Sequence, residues 1–478
     1  MPLDSESCYR ALATHDRRFD GRFFVGVRTT GVYCRPVCGA RLPRRENCRF
    51  FTSAAAAEAG GYRPCLRCRP ELAPGLASVD ASAQFAQAAV RLIEEGVLEH
   101  GGVDALAARI GVTSRHLRRI FDAEFGVSPV EYAQTQRLLL AKRLLTDTSL
   151  PVLDVAYASG FKSLRRFNAL FSTRYRMAPS HLRRATAPAA APGVLRFELA
   201  YRPPFAWDAL LAFLAARAIP GVEHVERGRY LRTLAIAHRG QRAAGHIAVA
   251  HARRRSAVQL EVSPDLACVV PAVIGRVRQA FDLGCDPAPI AARLGDLAQT
   301  MPGLRVPGTC DGFEVAARAV IGQQISVAAA RTLLGRLAAA FGEPLAGDVP
   351  RAIMHVFPAP AAIAARPIAE LRAIGLPASR AQTLADLARS VASGTIALVP
   401  GAGVERTMAA LESIRGIGRW TSSYIAMRAL GWPDAFLESD LGVLKALGET
   451  SAAQARRRSE AWRPWRAYAV IHLWSRHA

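Results

Sequence analysis

Apolar positions between residues 78 and 184 recur at the spacing of a helix face, interrupted by single glycines. One pattern occurs twice, fifty residues apart, as three apolar residues spaced by four and a closing proline: Leu117, Phe121, Phe125 and Pro129, then Phe167, Phe171, Tyr175 and Pro179. The proline ends each unit because it cannot continue a helix. The repeat therefore predicts two similar helical units.

The pattern differs in the other parts of the chain. Short apolar runs such as RFFVGV, among many Gly, Pro, Arg and Cys residues, predict a small metal-held α+β unit over 1–75. Residues 186–193 form a Pro/Ala linker without periodicity, and the helical units before it occupy 78–185. Strand-like runs (LRFELAY, AVQLEV) mixed with helical ones (WDALLAFLAARA) predict an α+β part over 194–302, and 303–478 is mostly helical.

The composition limits the classes of protein that fit. The 478 residues are too many for one ordinary core, so three or four domains are expected. With 51% hydrophobic residues the chain is globular and not disordered. It has no long uncharged apolar run, and MPLDSESCYR lacks the basic and then apolar stretch of a secretory signal. These features predict a soluble cytoplasmic protein.

The formal net charge of +23 is spread over every part of the chain. Such an excess predicts a polyanionic partner, and nucleic acid fits best. A solvated basic surface is the simpler interpretation. No basic amphipathic helix stands out, which argues against a membrane surface.

Six of the nine cysteines lie within the first 68 residues. Cys34 and Cys38 are separated by three residues, and after 26 more come Cys65 and Cys68, separated by two. Two such pairs can supply four thiolates to a tetrahedral zinc ion, and a reducing cytoplasm argues against disulfides. The spacing alone does not distinguish a structural zinc site from a reactive one. Cys8 and Cys48 fall outside this spacing and are expected to be buried.

The two helical units each have the form of a helix-turn-helix, VDALAARIGVTSRHLRRIF and VLDVAYASGFKSLRRFNALF, with Gly111 and Gly160 at the turns. Each second helix carries side chains that can contact bases and phosphates in the major groove. They are Arg115, His116, Arg118, Arg119, Arg165, Arg166 and Asn168. A plain helical hairpin is the alternative for either unit alone.

Two features of the last third suggest chemistry. Gly416 and Gly418 lie between helical runs, where backbone N–H groups can approach a phosphate. Asp440 starts a helix in FLESDLGVLKAL. The alternatives are an ordinary helix–helix turn for the glycines and an N-cap for the aspartate.

The stretches GVYCRPVCGARLPRRENCRFF and GYRPCLRCRP resemble the zinc domain of the Ada-type DNA-methylation sensor. The resemblance implies that Cys34 is both a zinc ligand and the acceptor of a methyl group from a DNA methyl phosphotriester, with Cys38, Cys65 and Cys68 as the other ligands. Loss of negative charge on methylation would let basic neighbours act on DNA phosphates. These neighbours are Arg35, Arg44, Arg45 and Arg67. The tandem helix-turn-helix units resemble the AraC-type regulator domain.

From about 194 to 474, six ordered stretches resemble the AlkA-type 3-methyladenine glycosylases of the helix-hairpin-helix family, among them RGIGRWTSSYIAMRALG and DAFLESD. The resemblance implies that Asp440 is catalytic, stabilising the oxocarbenium-like sugar and orienting water. It also implies a base pocket of Trp420, Tyr424, Trp474 and Phe213, for which core packing is the alternative.

At several positions this sequence differs from the pattern of that glycosylase family or of its relatives. Trp420 stands where strand-cleaving relatives carry a lysine, so no lyase is expected. Gln323 and Gln324 fall where the family inserts side chains into DNA, but Gln324 replaces a residue that is often apolar. Arg415 replaces a common proline before the hairpin. The PCHR core of an alkyltransferase domain does not occur.

Together these features predict a multidomain, mainly α protein with α+β parts: a small zinc domain, tandem helix-turn-helix, a small β-sheet subdomain and a helix-hairpin-helix glycosylase bundle. The expected function is a methyl-phosphotriester-sensing transcriptional regulator fused to a monofunctional DNA glycosylase for alkylated bases. We expect a monomer with one Zn²⁺, associated with the bacterial nucleoid, that binds double-stranded DNA at damaged sites and promoters. RNA polymerase is a candidate partner. One alternative is a regulator with a non-catalytic glycosylase-like half. The other is a repair enzyme whose zinc and helix-turn-helix domains serve only to dock it on DNA.

Overall fold

The computed structural model describes most of the chain. The described residues are 5–16, 19, 23–51, 57, 62–65, 67, 68, 89, 92, 93, 97–125, 128–148, 150–175, 178–185, 194–201, 203–238, 241–255, 257–285, 287–400 and 403–476. They form two compact units, one of residues 1–88 with 115–126 and the other of 89–114 with 127–478. The predicted linker, 186–193, lies outside the described residues.

The first unit contains a four-stranded sheet. Its elements are α1 (Ser5–Ala13), β1 (Phe24–Val27), β2 (Val32–Cys34), β3 (Cys48–Phe51) and β4 (Arg63–Pro64). The strand order is β3-β1-β2-β4, antiparallel except that β4 runs parallel to β2. Cys8 and Cys48 are buried with Phe23 and Val25 between α1 and the sheet, as the sequence predicted.

In the helix-turn-helix region, the described residues from 97 onward form six helices. They are α2 (Val97–Ile110), α3 (Ser114–Phe125), α4 (Pro129–Asp147), α5 (Val152–Ala158), α6 (Leu164–Tyr175) and α7 (Pro179–Ala185). Both turn glycines, at positions 111 and 160, have φ of 80°, a conformation that favours glycine. Of the repeated apolar residues, Leu117, Phe121, Phe167 and Phe171 are buried, while the side chains of positions 125 and 175 lie outside the described residues.

The α+β part that follows has a five-stranded antiparallel sheet in the order β5-β9-β8-β7-β6. Its elements are β5 (Leu195–Ala200), α8 (Trp207–Arg217), β6 (Glu223–Glu226), β7 (Arg229–His238), β8 (Gln241–Ala252), β9 (Ala257–Val262), α9 (Val270–Ala280), α10 (Pro287–Leu294) and α11 (Asp296–Gln299). The inward faces of the sheet pack on α8 and α9, and buried residues of α4, α5 and α6 belong to the same hydrophobic cluster.

The remaining part is helical. Its helices are α12 (Gly312–Ile321), α13 (Val327–Phe341), α14 (Pro360–Ala364), α15 (Ile368–Ala373), α16 (Ala378–Ala392), α17 (Val404–Glu412), α18 (Arg419–Arg428), α19 (Leu441–Leu447), α20 (Ala452–Ser459) and α21 (Arg466–Ser475). Two clusters of buried apolar residues hold them together. None of the helices in the described part of the chain has the length and hydropathy that crossing a bilayer requires.

Candidate functional site

The four predicted metal ligands come together at one end of the first sheet. Cys34 ends β2, and Cys65 follows β4, where its N–H donates to the Tyr33 carbonyl 3.0 Å away. Cys38 and Cys68 lie in the turns that follow each strand. All four sulfur atoms lie within 4.8 Å of one another. A tetrahedral zinc–thiolate site needs sulfurs about 3.8 Å apart, from a Zn–S distance of about 2.3 Å, so the cluster fits one zinc ion.

The four cysteines are not equivalent in their surroundings. Cys34 and Cys65 are partly exposed, whereas Cys38 and Cys68 are buried. Hydrogen bonds to Cys38 and Cys68 raise the pKa of the Cys34 thiol, and hydrogen bonds from Cys34 and Cys68 lower the pKa of the Cys38 thiol. Partial exposure makes Cys34 the more accessible member of its pair.

Arg35 is not placed as the sequence predicted. Its side chain is fully buried. Its Nη1 donates to the carbonyl of Cys68 at 3.2 Å, and its backbone N–H donates to the Cys68 sulfur at 3.4 Å. A guanidinium used in this way is not available to a DNA phosphate, so the expected phosphate contact is corrected: Arg35 holds the turn that carries Cys68.

The other three basic residues of this domain are accessible to different degrees. Arg44 and Arg67 are exposed. Arg45 is partly buried, with its guanidinium carbon 5.9 Å from the Tyr9 ring centre and 5.3 Å from that of Phe50. Arg44 and Arg67 are therefore the better-placed phosphate contacts, and Arg45 mainly covers aromatic surface.

The second helices of the two helix-turn-helix units carry exposed basic side chains. The exposed residues are Arg115, Arg118, Arg119, Arg165 and Arg166, and His116 and Asn168 are partly exposed. His116 Nδ1 and Arg119 Nη2 lie 2.9 Å apart. Burial, and secondly the Arg119 charge, lower the pKa of His116, so this histidine is neutral at neutral pH.

Asp440 is the N-cap of α19 and is also fixed by two indoles. Its Oδ1 accepts from the Val443 N–H at 3.0 Å and from Trp474 Nε1 at 2.8 Å, while Oδ2 accepts from Trp420 Nε1 at 3.0 Å. The N-cap alternative is thus correct, but it does not exclude a chemical role. The carboxylate is held in one orientation and remains partly exposed.

The four predicted pocket aromatics are neighbours of this carboxylate. The Trp420 and Tyr424 rings stack with centroids 5.5 Å apart and an angle of 13°. Trp474 lies 6.4 Å from Tyr424 and 6.3 Å from Phe213, nearly parallel to the latter. All four are partly exposed, so core packing alone does not explain them. Flat, electron-rich faces next to Asp440 can hold a planar base.

The hairpin formed around Gly416 and Gly418 requires the conformational freedom of glycine at the first of these two positions. Gly416 has φ of 95°, and a Cβ there would lie 2.4 Å from the Thr383 hydroxyl oxygen, which donates to the Arg415 carbonyl at 2.8 Å. Gly418 is the extended N-cap of α18. Both glycines are exposed, so the first N–H groups of α18 can face an anion.

The two glutamines differ in what their side chains do. Gln323 Nε2 donates to the Gly416 carbonyl at 2.9 Å and to the Thr421 hydroxyl at 3.0 Å, and Arg380 donates to the Gln323 carbonyl. Its side chain therefore joins its turn to the hairpin. Gln324 is exposed and has φ of 57°, a rare conformation for a residue with a Cβ. Of the two, Gln324 is the one free to enter DNA.

Three residues near the pocket were missed from the sequence. Arg217 lies over the ring of Phe213, and Arg428 donates to the Tyr424 hydroxyl. Each arginine follows its aromatic partner by four residues, a helical spacing that could have signalled the contact. Leu441, directly after the carboxylate residue Asp440, is 82% exposed. An apolar side chain at such a position is a candidate DNA contact.

Four family models match the chain. They are the metal binding domain of Ada over 7–71, a helix-turn-helix domain over 106–185, the AlkA N-terminal domain over 196–311, and the HhH-GPD superfamily base excision DNA repair protein over 317–465. With the first of these matches, the predicted site for one zinc ion on four cysteines is confirmed. The predicted multidomain fold class is confirmed as well.

Relatives cover the chain in whole or in part. A Mycobacterium tuberculosis protein named probable bifunctional transcriptional activator/DNA repair enzyme AlkA is 39% identical, over 99% of this chain and 97% of its own length. Escherichia coli DNA-3-methyladenine glycosylase 2 is 37% identical, over 58% of this chain and 96% of its own. The Escherichia coli bifunctional transcriptional activator/DNA repair enzyme Ada is 36% identical, over 30% of this chain and 38% of its own.

Proposed function

Because the chain belongs to the family of bifunctional transcriptional activators and DNA repair enzymes of the AlkA type, we propose that it combines a methyl-sensing regulator with a DNA glycosylase. The regulator comprises the zinc and helix-turn-helix domains, residues 1–185, and the glycosylase comprises 194–478. The protein is a monomer in the nucleoid, and both halves act on double-stranded DNA. The regulator binds promoters and methylated phosphates, and the glycosylase binds alkylated bases.

One observation carries the glycosylase half of the proposal. The Asp440 carboxylate accepts hydrogen bonds from two indole N–H groups and lies beside four partly exposed aromatic rings. A flipped base stacks on these rings, and the carboxylate stabilises the positive charge that develops on the sugar as the N-glycosidic bond breaks. The same carboxylate orients the water that attacks the sugar carbon.

The enzyme is a monofunctional glycosylase. Strand cleavage by this family requires an amine that attacks the sugar, and Trp420 occupies the equivalent position here. The indole of Trp420 instead donates to Asp440. Incubation with duplex DNA containing 3-methyladenine should release the free base and leave an intact abasic strand. Strand cleavage without added base or heat would overturn the monofunctional assignment.

The regulator half uses Cys34 as a methyl acceptor that reacts once. Zn²⁺ bound to the four cysteines keeps their sulfurs deprotonated and nucleophilic. The Cys34 sulfur attacks the methyl carbon of a methyl phosphotriester. The new S–C bond forms as the C–O bond breaks, and the electron pair stays on the phosphate oxygen, which regains its negative charge. Partial exposure of Cys34, compared with buried Cys38, supports this assignment.

Peptide mass spectrometry tests the methyl transfer. After incubation of the full chain with DNA that carries methyl phosphotriesters, one methyl group is expected on the peptide that contains Cys34. The variant Cys34→Ser should carry none, while base release by the glycosylase half continues. Methylation of another cysteine, or of none, would refute the assignment of Cys34.

A further inference from the structure

Helix α19 has a glycine at its second position, two residues after Asp440. Gly442 follows Leu441, the first residue of the helix. It is not among the glycines with positive φ, whereas Gly431 before the helix and Gly448 at its end are. Glycine is the poorest helix former apart from proline, and a helical backbone does not require it. The reason for a glycine at this position therefore lies in what surrounds it.

The space that a side chain at position 442 would take is partly filled by two groups of the candidate active site. A Cβ atom there would lie 3.1 Å from Asp440 Oδ1, 3.1 Å from Trp474 Cδ1 and 3.4 Å from Trp474 Nε1. Carbon atoms in ordinary contact are about 3.5–4.0 Å apart. Gly284 provides a contrast, because it also lacks a positive φ and a Cβ there would have no atom within 4 Å.

The two groups that meet at Gly442 are hydrogen-bonded to each other. Trp474 belongs to α21, which packs against α19, and its Nε1 donates to Asp440 Oδ1 at 2.8 Å. The edge of the indole reaches the carboxylate directly beside the Gly442 backbone. A methyl group at this position would require the indole or the carboxylate to move by about half an ångström to restore an ordinary contact distance.

Neither of these two groups can move without a change in the site. The Asp440 carboxylate also accepts from the Val443 N–H and from Trp420 Nε1, both at 3.0 Å, so a shift of Oδ1 alters these bonds as well. The Trp474 ring lies nearly parallel to Phe213, with centroids 6.3 Å apart, so a shift of the indole changes a wall of the base pocket. A side chain at position 442 would therefore disturb either the carboxylate or the indole that orients it.

We propose that Gly442 is a positioning residue for base excision: the absence of a side chain there lets the Trp474 indole hold the Asp440 carboxylate in its reactive orientation. The inference rests on the glycosylase function proposed above. Gly442 acts through these two neighbours and not by contact with the substrate. Misplacement of a reacting group by about 1 Å can cost about a hundredfold in rate, so a displacement of about half that distance should cost about tenfold or more.

The test is single-turnover release of 3-methyladenine from duplex DNA by saturating full-length enzyme, with DNA binding measured by fluorescence anisotropy. Gly442→Ala adds one methyl group, and Gly442→Val adds a larger side chain at the same place. Gly284→Ala is the matched control, because it is the same substitution at an exposed glycine with open space around its Cβ position. Trp474→Ala, alone and combined with Gly442→Ala, completes a double-mutant cycle that isolates the contact with the indole.

Gly442→Ala should slow excision by about tenfold or more and Gly442→Val by a larger factor, with a dissociation constant for DNA within about threefold of the unaltered protein. Gly284→Ala should change neither quantity. In the Trp474→Ala background, where no indole is left to displace, adding Gly442→Ala should change the rate by less than about threefold. Equal slowing in both backgrounds, or weaker DNA binding with an unchanged rate at saturation, would overturn the inference.

Urea unfolding of the same four proteins gives a second readout that does not depend on a measurable rate for Trp474→Ala. Without the indole, the better helix propensity of alanine should make the double variant at least as stable as Trp474→Ala, whereas Gly442→Ala alone should be less stable than the unaltered protein. The same stability change in both backgrounds would refute the contact.

Failure of the proposed function has a different signature. If the glycosylase assignment is wrong, the unaltered enzyme releases no 3-methyladenine. If only the inference is wrong, the unaltered enzyme releases the base, Asp440→Asn does not, and Gly442→Ala excises as fast as the unaltered enzyme.

Discussion

Replacement of Asp440 by asparagine separates catalysis from structure. The change removes one negative charge and keeps the size of the side chain. Asparagine is as good an N-cap as aspartate, and its carbonyl oxygen can still accept from Val443 N–H and Trp474 Nε1. The amide nitrogen then faces Trp420 Nε1, which is also a donor, so one of three hydrogen bonds is lost.

The magnitudes follow from these contacts. Loss of one hydrogen bond to a charged acceptor destabilises the fold by about 1.5–3 kcal/mol, and the retained cap leaves α19 intact. For the reaction, a carboxylate about 4 Å from the developing sugar cation contributes about 4 kcal/mol in a partly solvated site, which is about a thousandfold in rate. Base binding, which depends on the aromatic rings, should change little.

Single-turnover release of 3-methyladenine measures the rate, and fluorescence anisotropy of a labelled duplex measures binding. We expect excision to fall by about three orders of magnitude, with a dissociation constant for DNA within about threefold of the unaltered protein. Asp440→Ala should lose excision to the same extent and also lose the cap, with a larger decrease in stability. An Asp440→Asn enzyme that excises at a near-normal rate would refute the assigned role of this carboxylate.

Three further predictions concern other residues. Gly416→Ala combines a left-handed φ with a close contact to a threonine hydroxyl and should lower the free energy of unfolding by about 2–3 kcal/mol. Gly394→Ala, with φ of 77° and open space around its Cβ position, should lower it by about 1 kcal/mol, and equal decreases for the two variants in urea unfolding would refute the contact. Arg35→Met should weaken zinc retention against a chelator, while Arg67→Met should weaken DNA binding and reduce its salt dependence; the reverse outcome would restore Arg35 as a phosphate contact. Burial, and secondly a nearby arginine, lower the pKa of His472 to about 4. The neutral imidazole therefore contributes about 3 kcal/mol to the free energy of unfolding above pH 6.5, and this contribution is lost as the pH falls towards 4. The difference in unfolding free energy between the unaltered protein and His472→Phe should change over that window, and a constant difference would contradict this prediction.

The sequence predicted those parts of the sites that depend on residue type and spacing. Two cysteine pairs were sufficient for a zinc site because a tetrahedral ion has few ways to be bound. The family resemblance located Asp440, and the structure shows that the same side chain caps α19, which is the local role that the sequence pattern alone predicted. The family predicted from these motifs is confirmed by the relative that spans nearly the whole chain.

What the sequence did not predict depends on contacts between distant segments. Arg35 was expected on the surface because it is basic, but its burial is set by the carbonyl of Cys68, thirty-three residues away. Gln323 was expected to enter DNA, yet its amide joins the hairpin more than ninety residues later. The buried ion pairs of Glu223 and Glu314 with Arg318 and Arg232 join β6, β7 and α12, and no spacing in the sequence encodes them.

The central claim is that one chain carries both a methyl acceptor and a glycosylase. It is tested most directly by incubating the full-length protein with methylated duplex DNA and analysing that one sample by liquid chromatography and mass spectrometry. The account predicts free 3-methyladenine in solution together with a single methyl group on the peptide that contains Cys34. Absence of free base, or an unmodified Cys34 after complete exposure to methyl phosphotriesters, would contradict it.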